Sequence, residues 1–199
     1  MVRTVEKWAG SVPESFRFTF KLWQQITHNK ELAFNSGDVE VFMNTINRVG
    51  EKRGCLLVQF PPSIQVARFR QLELLLQTIS ECNFGNAWRV AIEFRHRSWY
   101  EEDVFELAGQ YKAAVVIHDL PASATPLPDE TSDCVYLRFH GPEGRYRGSY
   151  QNDFLSEYAW YIKDWIAEGK EVYVYFNNTM GDAVNNLVKL NSFIAEAEY

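Results

Sequence analysis

Six short apolar-rich stretches, most of them alternating apolar and polar residues with a period of two, stand out: "FRFTFK" (16–21), "CLLVQF" (55–60), "VAIEFR" (90–95), "AAVVIH" (113–118), "VYLRFH" (135–140) and "VYVYFN" (172–177). That period predicts strands, because successive side chains of an extended chain point to opposite faces. Between the strands the period becomes that of a helix. Val39, Phe42, Ile46 and Val49 form one apolar stripe, and Phe69, Leu72, Leu75, Leu76 and Ile79 form another. Leu155, Tyr158, Ala159, Ile162 and Ile166 make a third, and Val184, Leu187, Val188, Leu190 and Ile194 a fourth; residues 101–111 read as a shorter helix. Residues 119–133, with Pro121, Pro126 and Pro128, read as an irregular connection. Strands and helices in alternation predict parallel strands joined by right-handed crossovers.

The two faces of each strand separate two α/β architectures. Central strands of an open doubly wound sheet carry helices on both sides and are apolar on both. A barrel strand turns one face to helices and the other to a lumen. Here one face is large and apolar throughout, as in Phe16, Phe18 and Phe20, or Val90, Ile92 and Phe94. The opposite face carries Arg17, Thr19 and Lys21, then Gln59, then Glu93 and Arg95, then His118. Tyr136, Arg138 and His140, followed by Tyr173, Tyr175 and Asn177, complete it. The split favours a TIM-type (β/α) barrel in one domain spanning residues 1–199, with about six parallel strands instead of eight.

Composition narrows the class further. Apolar residues are 46% and charged residues 23% of the 199, which fits a globular domain rather than a disordered chain. A net charge of -6 argues against wrapping nucleic acid or an anionic membrane with the whole surface, and leaves room for a local basic patch. Cys55, Cys82 and Cys134 are far apart in sequence with no C-x-x-C, as expected for buried, reduced thiols. No apolar run approaches the ~18 residues of a membrane span, and no signal-peptide core follows Met1. The expectation is a soluble, cytoplasmic protein.

In a barrel of this kind the chemistry gathers at the C-terminal ends of the strands. Lys21, Gln59, Glu93, Arg95, His96, His118, Asp119, Arg138, His140 and Asn177 all lie there. The basic groups outnumber the acids locally in a chain that is acidic overall, which suits an anionic, phosphate-containing ligand. An internal layer of ion pairs, with Glu93 neutralised by Arg95 or Arg138, is the plainer alternative. "RFHGPEGRYRGSY" (138–150) adds Gly141, Gly144 and Gly148 beside Arg145 and Arg147, a loop whose backbone N–H groups would approach an anion, with Ser149 or Asn152 capping the next helix. Glu93 is the candidate general acid/base, partnered by His140 or His118. Trp23, Trp99, Tyr146 and Tyr150 are aromatic groups available for stacking a planar or sugar ligand. A divalent metal on His96, His118 and His140 with Glu93 and Asp119 is the competing chemistry, but no H-x-x-x-H spacing exists and the basic neighbours oppose a dication. No cofactor is identified. No G-x-S-x-G and no Cys–His pair suggests nucleophilic catalysis.

"AIEFRHRSWY", "YLRFHGPEGRYRGSY", "VYVYFNNTMGDAVNN", "QFPPS" and "TFKLWQQITH" resemble, in order and over essentially the whole chain, the signatures of the YecE-like domain-of-unknown-function 72 family. The resemblance implies a TIM-type barrel with polar strand ends and no established activity. Positions matching the family signature are Lys21, His28, Glu93, Arg95, His96, Trp99, Arg138, His140, Gly141, Tyr150, Asn177, Asn178, Gly181 and Asp182. Members usually begin with a strand containing glycine and tryptophan and a second with a Glu-Ile-Asn-type run, and neither occurs here. The opening "MVRTVEKWAGSVPESF" resembles the end of a second βα unit, so the chain reads as N-terminally truncated by two units. The first and last strands would then be open edges, a route to self-association. Two functions follow: an enzyme acting on a phosphorylated or otherwise anionic small molecule or nucleotide, or a non-catalytic protein that binds an anion or a nucleic-acid end, including an inactive remnant.

Overall fold

The computed structural model describes residues 2–126 and 132–196; Pro128 and the middle of the 119–133 connection lie outside the described residues. Among the described residues there are seven strands, most of them followed by a helix. Helix α1 (Val2–Gly10) precedes β1 (Phe18–Lys21), a short α2 (Gln24–Thr27) and α3 (Ser36–Ile46). Then follow β2 (Arg53–Gln59), α4 (Phe69–Cys82), β3 (Arg89–Glu93), α5 (Glu102–Gln110), β4 (Ala113–Val115) and β5 (Ile117–His118). The chain continues through β6 (Cys134–Phe139), α6 (Asn152–Ala167), β7 (Glu171–Phe176) and α7 (Ala183–Glu196). All pairings are parallel, as the alternation of strand and helix requires, in sheets of order β1-β2-β3-β4 and β5-β6-β7.

The strand expected at 113–118 is two strands. Ala113–Val115 pairs with β3, Val116 donates to Ile92 O at 2.8 Å, and Ile117–His118 pairs with β6. The segment thus hands over from one sheet to the other. The first strand also begins later than expected, at Phe18, with Phe16 42% exposed.

The apolar faces build two helix-covered clusters. Leu56, Val58, Val90, Ile92 and Val115 pack against α3, α4 and α5 through Phe42, Leu72, Leu76, Val104 and Leu107. Leu137 and Phe139 pack against Leu155, Ala159 and Ile162 of α6 and Leu190 of α7. Each fully buried Leu, Val or Phe contributes about 1.5–3 kcal/mol, so these clusters carry the fold. Asn35 caps α3 by accepting from Gly37 N at 2.9 Å. Helix α6 has Gln151 at its N-cap and no side-chain cap; Ser149, expected there, instead donates to Asp182 Oδ2 at 3.0 Å.

The other faces meet inside. Cys55, Leu57, Ala91, Val116 and Tyr136 pack together, with Tyr173 and Tyr175 against them. Tyr136 stacks on Tyr175 with ring centroids 5.0 Å apart, and Tyr175 donates to Thr19 Oγ1 at 2.6 Å. That contact joins β7 to β1, although among the described residues each of these strands pairs along one edge only. The inner face therefore has two layers: an apolar and aromatic floor, and a charged upper layer at the C-terminal strand ends. Tyr136, Tyr173 and Tyr175, expected on this face, supply its aromatic part, because tyrosine buries its ring while its hydroxyl finds a partner. Among the described residues no helix is long and apolar enough to cross a membrane.

Candidate functional site

Val90 and Ile92 turn outward into the helix-covered core, so the two-residue period leaves Glu93 facing inward at the end of β3, 0% exposed. A carboxylate removed from water needs opposite charge. It has two such neighbours. Arg138, from the end of β6, pairs with Glu93 Oε2, and Arg95 Nε pairs with Oε1 outside hydrogen-bonding geometry. Burial pushes the Glu93 carboxyl up, but Arg138 and then Arg95 outweigh it, and the group lies below its ordinary value of 4.5.

A third cation reaches the same layer. Lys21, the last residue of β1, donates to the neutral Gln59 Oε1 at 2.6 Å and makes no ion pair among the described residues. Its ammonium is pushed down from 10.5 by burial and then by Arg138, with Arg95 adding to this against the pull of Glu93. Two guanidinium groups thus share one carboxylate with an ammonium nearby, and this part of the site keeps a positive excess.

On the other side stands His140, also 0% exposed. Asp119 Oδ1 accepts from the His140 backbone N–H at 2.7 Å and from Nδ1 at 3.3 Å. Its other oxygen accepts from the Tyr150 hydroxyl, which in turn accepts from Gly141 N at 2.5 Å. Burial and then Asp119 push the Tyr150 phenol up, so it acts as a donor. Nδ1 faces Asp119, while Nε2 lies 3.1 Å from Arg95 Nη2, 3.2 Å from the Asn177 side-chain amide and 3.9 Å from Glu93 Oε1. Asn177 turns its carbonyl oxygen to Arg138, accepting from Nε at 3.0 Å and Nη2 at 2.7 Å. Arg138 is thereby held on two sides, and a guanidinium held this way is pre-organised for a planar anion.

Residues 1–198 match the family described as protein of unknown function DUF72. This chain belongs to the DUF72 family. Among its relatives is the UPF0759 protein YunF of Bacillus subtilis, 28% identical in an alignment 220 positions long that covers 92% of this chain and 75% of YunF. A DUF72 family protein from Thermotoga maritima has a solved structure similar to it, with TM-score 0.74 and 26% identity, covering 97% of this chain and 79% of that one. Another, from Enterococcus faecalis, shares the fold with TM-score 0.81 at 24% identity, covering 99% and 80%.

The candidate site residues separate into two groups in space. Lys21, Glu93, Arg95, Arg138, His140 and Asn177 converge as the alternation predicts. His118 is close by, its ring 5.8 Å from that of His140, yet both its nitrogens are engaged: Nε2 donates to Phe94 O at 2.8 Å and Nδ1 accepts from Leu120 N at 3.3 Å. His96 turns away to Ser98, accepting from its backbone N–H at Nδ1. The competing metal set of His96, His118 and His140 therefore does not assemble, and among the described residues no three His, Cys, Asp or Glu side chains converge as a metal needs.

Asn178 ties loop to loop, donating to Gly148 O and to Asn186 Oδ1, both at 2.9 Å. Trp99 is a core anchor, 0% exposed, with Nε1 donating to Ile64 O at 2.8 Å. Two of the loop glycines already have their N–H groups engaged within the fold. Gly141 N is taken by Tyr150 and Gly144 N by Gly141 O at 2.7 Å, so the loop offers its arginine side chains. Asp119, whose pairing with His140 organises this side, was legible only as one more polar residue at a strand end. Asn186, which links Tyr150, Ser149 and Asn178, carried no signal beyond its place in a helical segment.

His118 gives a direct test of this placement. Burial lowers its affinity for a proton below the ordinary 6.5, against the pull of Glu93. A depressed folded value means that its contribution to stability is complete above 6.5 and is lost as pH falls through the folded value. An NMR titration of the His118 ring should give a midpoint below 6.5; one at or above it contradicts the engaged, neutral ring.

Proposed function

We propose that the inner face is the lumen of an incomplete TIM-type (β/α) barrel forming one domain, and that its C-terminal mouth binds and turns over an anionic, phosphate-bearing small molecule. The contact between Tyr175 and Thr19 supports the lumen, since it brings the inner faces of the outermost strands together. One observation carries the ligand class: Arg95 and Arg138 pair with the single carboxylate of Glu93, and Lys21, held by Gln59, lies within their field.

The roles follow from the geometry. Lys21, Arg95 and Arg138 take the anion. Glu93 holds the two guanidinium groups in place; a carboxylate kept below its ordinary range is a weak base at neutral pH, which moves proton transfer to His140. Asp119 fixes the His140 ring by its Nδ1–H, as the carboxylate of a catalytic dyad does. Arg95 lies against Nε2. An anion that takes up the Arg95 donors leaves that nitrogen facing the ligand, able to accept a proton.

Inorganic phosphate should raise the melting temperature in a concentration-dependent way, because a ligand that binds the folded state stabilises it by mass action. The rise should shrink with added salt, as screening of an exposed mouth requires. Phosphate without effect on wild type at low salt contradicts the proposal. If phosphate binds and a panel of phosphomonoesters is not turned over by wild type, the chain is a binding protein instead.

A further inference from the structure

The loop after β6 roofs the site. Tyr146 N donates to His140 O at 2.7 Å, and a Cβ on Gly141 would overlap the Arg147 carbonyl oxygen, so Arg147 lies directly over the residue next to His140. At the far turn, a Cβ on Gly144 would come within 2.5 Å of Pro121 Cδ, close to Asp119 in sequence. Tyr146 holds a left-handed backbone, φ 60°, which is costly for a large side chain and persists where neighbours impose it. Its ring packs edge-on to His140 with centroids 5.5 Å apart, and its hydroxyl accepts from Arg95 Nη1 at 3.4 Å. The residues on either side, Arg145 and Arg147, are exposed and make no ion pair among the described residues. Both line a cavity of about 450 Å³ with Pro142, Glu143, Gly148 and Ser149.

We propose that Arg145 and Arg147 form an outer subsite for a second anionic group, so that the ligand is a small molecule with a chain of phosphoryl groups rather than a lone anion. This rests on the inner basic site described above. Tyr146, whose hydroxyl accepts from Arg95 Nη1, stands between Arg145 and Arg147 in the chain, and each guanidinium offers a fork matched to phosphoryl oxygens. Glycine at 141 and 144 fixes the path of the loop, because no side chain fits at either point.

Calorimetry with inorganic phosphate and inorganic tripolyphosphate, on wild type and on Arg145→Ala/Arg147→Ala, tests it. Wild type should bind tripolyphosphate more tightly than phosphate. The double variant should melt as wild type does, keep phosphate affinity within about twofold, and lose roughly tenfold or more for tripolyphosphate, the scale of lost charge-assisted contacts. Removing two exposed arginines elsewhere, Arg3→Ala/Arg48→Ala, should leave tripolyphosphate affinity intact. Failure of wild type to bind either anion overturns the inner site and the subsite together. Phosphate binding with tripolyphosphate affinity unchanged in the loop variant, or equally reduced in the Arg3/Arg48 variant, overturns the subsite alone. Tighter binding of a single-stranded oligonucleotide than of tripolyphosphate overturns the small-molecule class.

Discussion

Glu93→Gln should lower the melting temperature on the order of 10 °C, the largest loss expected from any single conservative change in this chain. Removing one partner of a buried ion pair costs about 3–5 kcal/mol, and for a domain of this size each kcal/mol is worth about 2–4 °C. Glu93 is 0% exposed and is the counter-charge for both Arg95 and Arg138, so its neutralisation leaves three cations facing one another. Two further signs identify the mechanism. The variant should bind inorganic phosphate more tightly than wild type, and phosphate should restore part of the lost melting temperature. It should also lose a component of acid unfolding. The carboxyl lies below 4.5 in the folded state, so its stabilisation is present above 4.5 and disappears as pH falls through the folded value. A variant that melts like wild type but loses turnover would return the general acid/base role to Glu93.

Lys21→Met should act in the opposite sense on stability. The Lys21 ammonium sits in the field of Arg138 and Arg95, and its removal relieves that repulsion. Gln59 Oε1 loses its donor, but the position at the end of β1 is exposed and water can replace it. The melting temperature should be unchanged or raised while phosphate affinity falls roughly 10- to 100-fold, the loss of a hydrogen bond to a charged group. Thermal melts and calorimetry on the same preparations separate the alternatives. Unchanged affinity removes Lys21 from the site; a parallel fall in stability and affinity makes it a structural residue. Groups that lower stability while serving binding are expected at functional sites.

The strands and helices were legible because each has one buried face, and burial imposes a period of two or of 3.6. Helix α1 was not, since Val5 is its single buried residue and one position makes no pattern. The break at Val116 was equally hidden. The run Ala113–His118 is buried at every position, so nothing in its polarity marks where pairing passes from β3 to β6. Half of the site was readable for the same reason that the strands were: alternation puts Glu93, Arg95 and Arg138 on one inward face. The partners they choose were not readable, because Lys21 with Gln59 and Asp119 with His140 depend on how far side chains from different strands reach. His118 and His140 look alike in sequence, each closing a strand. They differ because Phe94 O and Leu120 N occupy both nitrogens of His118. The meeting of Cys55 and Cys134 at the inner floor was hidden too, since β2 and β6 belong to different sheets; burial and the neighbouring Cys134 push the Cys55 thiol up.

Crystals of this chain soaked in selenate, an anomalously scattering mimic of phosphate, would test the anion site most directly. An anomalous peak within hydrogen-bonding distance of Lys21 Nζ and of the Arg95 and Arg138 guanidinium groups is the expected result. Selenate peaks confined to other surfaces, with Lys21, Arg95 and Arg138 untouched at saturating concentration, would contradict it.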